Sequence, residues 1–543
     1  MSDKSSAKFK PGLRHLIWCA LVIGVGALIF FILSAFGVFR YWQAEKIPQG
    51  ETTLKFSEVD LPFSNVADLD NSLPFLASAA IDIDGDGQDE LFLGGGNRQA
   101  DQFLRFQGGK FVPMDMSISK GDVDATHGAA TMDIDNDGDT DLLVARESGI
   151  WYHENQGGSF GSVNLNLPLA DNTTPLSIGL ADINQDGLAD MYVAGYIKLS
   201  LVEGETNFDK TYGGYSYLFL NDGNGGWTDI SKSAGVFRKH NTFIGLFADL
   251  DNDLDSDLII AQDTGVVEMY SNNGDMTFDP IPNPSVFSYP MGVAAGDYDN
   301  DGLIDLYFSN VGYTLPPAVL KGNLEKDDPF NPAYYLFHND GGLKFSDRAE
   351  AMNAARYGFG WGTVFADMNL DGKEDLLFAQ NYARFPAQKL LAKYPGKILQ
   401  NYGDKFQPVE KVAGAENKNY AISPIISDFN QDGWPDLIWA NLDGESLAYI
   451  NQGGHDNWLK VRLPNVARSI NARVMVTDNS GQTFMKQFIT SQGLGSDQGR
   501  DLIFGLDGTS GPYDVRVEFQ DGSSKSMSDQ AAGQLLTIAA PTP

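Results

Sequence analysis

Cysteine is almost absent from this chain of 543 residues: Cys19 stands alone, which excludes an intramolecular disulfide. Basic residues are scarce as well, 38 Lys plus Arg against 72 Asp plus Glu, for a formal net charge of −34. That balance argues against a nucleic-acid partner, because phosphate neutralisation needs a basic surface. The six histidines, His15, His127, His153, His240, His338 and His455, fall at no metal-ligand or triad-like spacing. The Gly-x-Ser-x-Gly string at Gly157-Gly158-Ser159-Phe160-Gly161 reads as a hairpin turn and not as a strand-to-helix elbow, and no phosphate-binding loop occurs, so the motifs give no sign of an enzyme. Long apolar runs are also lacking, with one exception.

The exception is Leu16 to Phe39, long enough at about 1.5 Å per residue to cross a hydrocarbon core of roughly 30 Å. Lys4, Lys8, Lys10 and Arg14 precede it, which predicts that residues 1–15 stay cytoplasmic and that 16–39 is an uncleaved single-pass signal anchor. The alternative is secretion after signal cleavage, for which Ala35-Phe36-Gly37 is a poor site and the apolar core too long. Trp18 before Cys19 does not fit a lipoprotein cleavage box. Residues 40–53 read as a linker, and the bulk is expected to be extracytoplasmic. A large extracytoplasmic chain without disulfides points to a bacterial inner membrane facing the periplasm.

What the chain has in abundance is an acidic loop, repeated seven times. Its oxygen-bearing residues stand at positions 1, 3, 5 and 9, usually with Gly at position 6. The copies are Asp82, Asp84, Asp86 and Glu90; Asp133, Asp135, Asp137 and Asp141; Asp182, Asn184, Asp186 and Asp190; Asp249, Asp251, Asp253 and Asp257. Three more follow: Asp297, Asp299, Asp301 and Asp305; Asp367, Asn369, Asp371 and Asp375; Asp428, Asn430, Asp432 and Asp436. Hard oxygens at this spacing suit Ca²⁺, which takes six to eight of them. Up to seven Ca²⁺ are predicted, bringing −34 to about −20. The seventh residue is expected to lend its backbone carbonyl. An EF-hand is excluded, because position 12 is apolar in every copy (Leu93, Val144, Val193, Ile260, Phe308, Phe378 and Trp439) where that motif needs Glu. The fourth loop carries Leu254 where the others have Gly, so it is expected to be the weakest. These cages are expected to fix turn geometry; no catalytic residue is assigned.

Around each loop other signals recur at about 50 residues. A strand of small and aromatic residues precedes it, a β-rich run such as Leu142-Leu143-Val144 follows, and a Gly-rich hairpin turn comes later, as at Asn155-Gln156-Gly157-Gly158. Four strands per repeat mean a β-propeller blade, and seven copies over residues 54–455 predict an all-β, seven-bladed propeller. Leu54 to Val59 looks like an outer strand that has lost its blade, and is expected to complete the seventh sheet. Residues 456–543 alternate as in Leu459-Val461-Leu463 and Val515-Val517-Phe519, which predicts a small antiparallel β-sandwich.

These residues resemble the FG-GAP/VCBS repeat of integrin-like propellers. The run Phe359-Gly360-Trp361-Gly362-Thr363-Val364-Phe365-Ala366-Asp367 is similar to the cartilage acidic protein family, which ends in an ASPIC/UnbV domain. Asn457-Trp458-Leu459-Lys460-Val461, Ser469-Ile470-Asn471-Ala472-Arg473 and Phe504-Gly505-Leu506 resemble that domain, with Asn471 replacing its usual Gly. The resemblance implies an extracytoplasmic binding, adhesion or scaffold module and supplies no ligand. Two alternatives remain: a Ca²⁺-dependent polysaccharide lyase or hydrolase, and an assembly factor of a cell-envelope complex. Long connections at 196–215, 311–333 and 381–396 converge on the face opposite the loops. They carry Tyr196, Tyr212, Tyr215, Tyr313, Phe330, Tyr334, Tyr382, Phe385 and Tyr394, with Arg384, Lys389 and Lys393. Either they cover blade edges or they bind a protein or glycan.

Overall fold

Each acidic loop joins two apolar strands, and the chain returns beside them through a third and a fourth. In the computed structural model, which describes residues 47–116, 118, 124–202, 208, 212–313, 320–381 and 394–540, the second repeat shows the unit. Thr126–Met132, Asp141–Arg146, Gly149–Asn155 and Phe160–Asn164 lie antiparallel in that order. Six further sheets among the described residues share this core of four strands. Their innermost strands are Ser78–Ile81, Thr173–Ala181, Thr242–Ala248, Val293–Gly296, Gly360–Ala366 and Ala421–Ser427. Consecutive innermost strands are neighbours, and the last lies against the first. The architecture is all-β and propeller-like.

Each sheet is sandwiched between two others, so both faces of its inner strands are buried. That is why Leu142-Leu143-Val144 is continuously apolar instead of alternating, with all three side chains fully buried. It also explains the small residues: a Cβ on Gly179 would meet the Gly245 carbonyl oxygen of the next inner strand. Phe56–Val59 pairs antiparallel with Leu447–Asn451, from Phe56 opposite Asn451 to Val59 opposite Ala448, so the earliest described strand completes the last sheet.

Residues 456–540 form two sheets. One has Trp458–Arg462 between Leu502–Gly505 and Gln534–Thr537, and the other has Thr483–Gln487, Arg473–Thr477, Tyr513–Glu518 and Ser524–Gln530 in that order. The expectation of a wholly antiparallel sandwich needs correction, since Trp458–Arg462 and Gln534–Thr537 run parallel. Nor does this unit stand apart. Val474, Val517 and Phe504 share one apolar core with Met132 and Leu180 of the second and third sheets.

Two expectations about the N-terminal region change. The single-pass anchor at 16–39, with residues 1–15 cytoplasmic and the bulk extracytoplasmic, is corrected: no helix among the described residues is long and apolar enough to cross a membrane. Residues 1–46 themselves lie outside the described residues. The end of the expected linker is seated on the sixth sheet, where Gly50 N donates to Pro408 O at 2.8 Å and Gln49 Nε2 to Glu410 Oε1 at 3.1 Å.

Candidate metal centres

The loops fold alike because their carboxylates catch their own backbone. The amide of position 6 donates to the position-1 carboxylate in all seven, at 2.8–3.1 Å. The amide of position 7 donates to position 5 at 2.8–3.0 Å. The amide of position 2 donates to position 9 at 2.9–3.4 Å. Such turns need left-handed backbone twice, at positions 4 and 6. Asn136, Asn252 and Asn300 tolerate it at position 4 with φ of 60–64°. Leu254 adopts it at position 6 with φ of 74°, so the fourth loop keeps its sisters' turn at a cost of about 1–2 kcal/mol.

This geometry gathers the predicted oxygens. Carboxylate oxygens of Asp82, Asp84 and Asp86 lie within 4.8 Å of one another, as do those of Asp133, Asp135 and Asp141, of Asp249, Asp251 and Asp257, and of Asp297, Asp299 and Asp305. In the third and seventh loops the Asn at position 3 donates to position 5, Asn184 to Asp186 at 2.9 Å and Asn430 to Asp432 at 2.8 Å. Burial pushes the position-9 carboxyls up, Asp190 and Asp257 to about 8 and Asp141 to about 7. Asp82 Oδ1, Asp251 Oδ1, Asp255 Oδ1 and Asn369 Oδ1 are buried acceptors with no hydrogen-bond donor. Hard oxygens held close, desolvated and lacking donors are what a Ca²⁺ ion would satisfy.

A residue read only as a turn marker turns out to hold the ring together. The hairpin Asn in six sheets donates its backbone amide to the position-9 carboxylate at 2.7–3.0 Å. Its side-chain amide crosses to the position-2 carbonyl of the preceding loop: Asn155 to Ile83, Asn339 to Leu250, Asn401 to Tyr298 and Asn451 to Met368, at 2.7–2.9 Å. The first sheet has no such Asn. Gln88 takes over, donating to Phe429 O of the seventh loop at 2.5 Å.

Residues 456–540 cover the loop face. Lys460 pairs with Asp428, Lys486 with Glu374, and Arg462 Nη2 donates to Gly87 O at 2.8 Å. Gln487 brackets Asp249, accepting from its amide at 3.1 Å and donating to its carbonyl at 2.8 Å. The segment 489–500 enters the middle of the ring. Gly495 O accepts from Ser78 N and Ala129 N, Gly493 exchanges backbone bonds with Val293, and Gln498 Oε1 accepts from Ile426 N at 2.9 Å. Fully buried Asp497 accepts from Thr131 N at 2.8 Å and pairs with Arg500. At the opposite ends of the inner strands, Phe75, Tyr196, Phe243 and Trp361 pack with ring centroids 5.7–6.2 Å apart.

The aromatic residues of the long connections turn mostly inward. Tyr334 and Tyr394 are buried, Phe330 packs on Tyr289, and Tyr215 stacks on Phe237. Tyr382, Arg384, Phe385, Lys389 and Lys393 lie outside the described residues. Histidine spacing also misled at one position. His338 Nδ1 sits 3.2 Å from Asp305 and 3.5 Å from Asp299, and its hydrogen bond with Asp305 pushes the imidazole up to about 9.

The repeated acidic loops on this all-β, propeller-like frame include FG-GAP-like repeats. The FG-GAP-like repeat model matches residues 82–144, 133–193 and 249–308, and the ASPIC and UnbV model matches 464–543. Loops six and seven fall outside the matched ranges, yet carry the same hydrogen bonds. Homology extends to cartilage acidic protein 1, the Mus musculus protein being 24% identical over 60% of this chain and 53% of its own length. The chain thus spans about half the length of the curated relatives it matches. Integrin alpha-7 of Mus musculus is 31% identical over 18% of this chain and 8% of its own. Among solved structures, YCF48 bound to D1 peptide overlays with a TM-score of 0.40 and 12% identity, covering 75% of this chain and 99% of that one.

Proposed function

We propose that the chain is a non-enzymatic binding module: a seven-bladed propeller over 54–455, stapled by Ca²⁺ in its acidic loops and capped by residues 456–543. It presents the face opposite the loops to a protein partner. In this reading the metal supplies charge neutralisation and loop rigidity, while the loop backbone orients the carboxylates and the hairpin Asn residues pass that order from blade to blade.

The observation that carries the proposal is the cap. Segment 489–500 and the basic side chains around it already use the acidic face and the ring centre, so the long connections on the other face are what remains for a partner. Native lysines report on both faces. Lys198, Lys321 and Lys326 lie on the long connections, and Lys110, Lys344 and Lys405 lie on hairpins beside the acidic loops. Cross-linking mass spectrometry of a complex purified through this chain should link the partner to the first group. Links confined to the second group would overturn the assignment of faces.

A further inference from the structure

One register position distinguishes the seven loops chemically. It is the residue after the one opposite position 10, and its side chain faces the position-9 carboxylate. Strand pairing assigns it to Arg105, Glu154, Leu220, Ser271, His338, Gln400 and Ile450. In loop one, Arg105 Nη2 lies 2.5 Å from Asp84 and Nε 2.6 Å from Glu90, so one guanidinium bridges positions 3 and 9. This is also the loop that has Glu at position 9, a side chain one methylene longer than the Asp of the other six.

In loop five the same position brings an imidazole. Its Nδ1 separations of 3.2 and 3.5 Å from Asp305 and Asp299 bracket about 3.3 Å, the edge between ligand atoms around a tetrahedral ion with bonds of about 2.0–2.1 Å. His338, Asp299 and Asp301 also offer atoms within 4.8 Å of one another. The second ring nitrogen, Nε2, faces Asp340 Oδ1 at 3.6 Å, the outer carboxylate placement that orients metal-bound histidines. Nitrogen ligands favour transition ions over Ca²⁺.

We propose that this position sorts the loops by cation. Arg105 fills loop one with its own guanidinium and closes it to Ca²⁺, while His338 adds a nitrogen ligand to loop five and turns it toward a divalent transition ion such as Zn²⁺. The loop-one half rests on the Ca²⁺ reading above; the loop-five half does not.

The test uses the full chain and two probes. Equilibrium dialysis with elemental analysis counts Ca²⁺ per chain: Arg105→Gln should hold one ion more than wild type, and Arg105→Lys, which keeps a cation there, the wild-type number. Co²⁺ titrated in excess Ca²⁺ should give wild type one equivalent with visible d–d absorption, and His338→Gln should lose that band and bind Co²⁺ at least ten-fold more weakly. A wild-type count of seven Ca²⁺ overturns the loop-one assignment without any variant, as does an unchanged count in a folded Arg105→Gln chain. A Co²⁺ band that persists in His338→Gln overturns loop five. Absence of bound Ca²⁺ from every form would instead contradict the calcium reading, and the Co²⁺ result would still decide loop five.

Discussion

The two mouths of the ring are closed by different physics. On the loop side, a distant part of the chain, 489–500, is held by backbone hydrogen bonds to the inner strands and by Asp497, which accepts from Thr131 N and pairs with Arg500. On the other side the ring closes itself, with Phe75, Tyr196, Phe243 and Trp361 packed together and Trp361 edge to face against Phe75 and Phe243. The first closure is assembled from two regions and combines polar contacts with Leu494, which joins the core that holds Phe75, Phe243 and Trp361; the second is apolar and belongs to the repeats. Conditions that act on charge should therefore loosen the loop side first, and a loss of aromatic packing should loosen the other side first.

Chelation should have the largest effect, because it acts at once on every loop that holds a cation. Without a cation, burial in the folded loops holds the position-9 carboxyls above the ordinary carboxylate range, Asp190 and Asp257 at about 8 and Asp141 at about 7. The folded chain then binds more protons than the unfolded one, so its stability falls as pH rises from about 4 to 8. The melting temperature in EDTA is expected to drop between pH 5 and 8 and to stay level in millimolar Ca²⁺. Trp361→Ala should cost about 3–5 kcal/mol in denaturant unfolding and leave protease resistance at 489–500 intact. Asp497→Ala strands Arg500 beside Thr131 and should cost about 3 kcal/mol, with cleavage at 489–500 appearing below the unfolding midpoint. Leu254→Gly relieves a left-handed leucine and should stabilise by about 1 kcal/mol, sharpening the equivalence of loop four with its sisters.

The repeat was legible because its signals are local and periodic. The spacing of Asp133, Asp135, Asp137 and Asp141 suffices to define a loop, and Leu142-Leu143-Val144 the buried strand after it. The strand at Phe56 was legible for the same reason, as a copy of an outer strand out of place. Docking of residues 456–540 was not. It relies on backbone carbonyls such as Gly87 O and on single side chains such as Gln487 and Asp497, which follow no period and meet partners more than 200 residues away. The equivalence of Arg105 with His338 emerges only from strand register, because the first sheet lacks the Asn that aligns the others. The apolar run at 16–39 gave a strong local signal for a membrane anchor, and no membrane-crossing helix among the described residues supports it.

Hydrogen–deuterium exchange of the full chain, with and without Ca²⁺, tests the account most directly. Ca²⁺ should slow exchange in the acidic loops, at amides such as Gly138 and Gly187, and also at 489–500, while the strand ends around Phe243 and Trp361 stay unchanged. Equal exchange in both conditions, or a change confined to the aromatic mouth, would contradict the claim that the loops are metal staples serving the capped face.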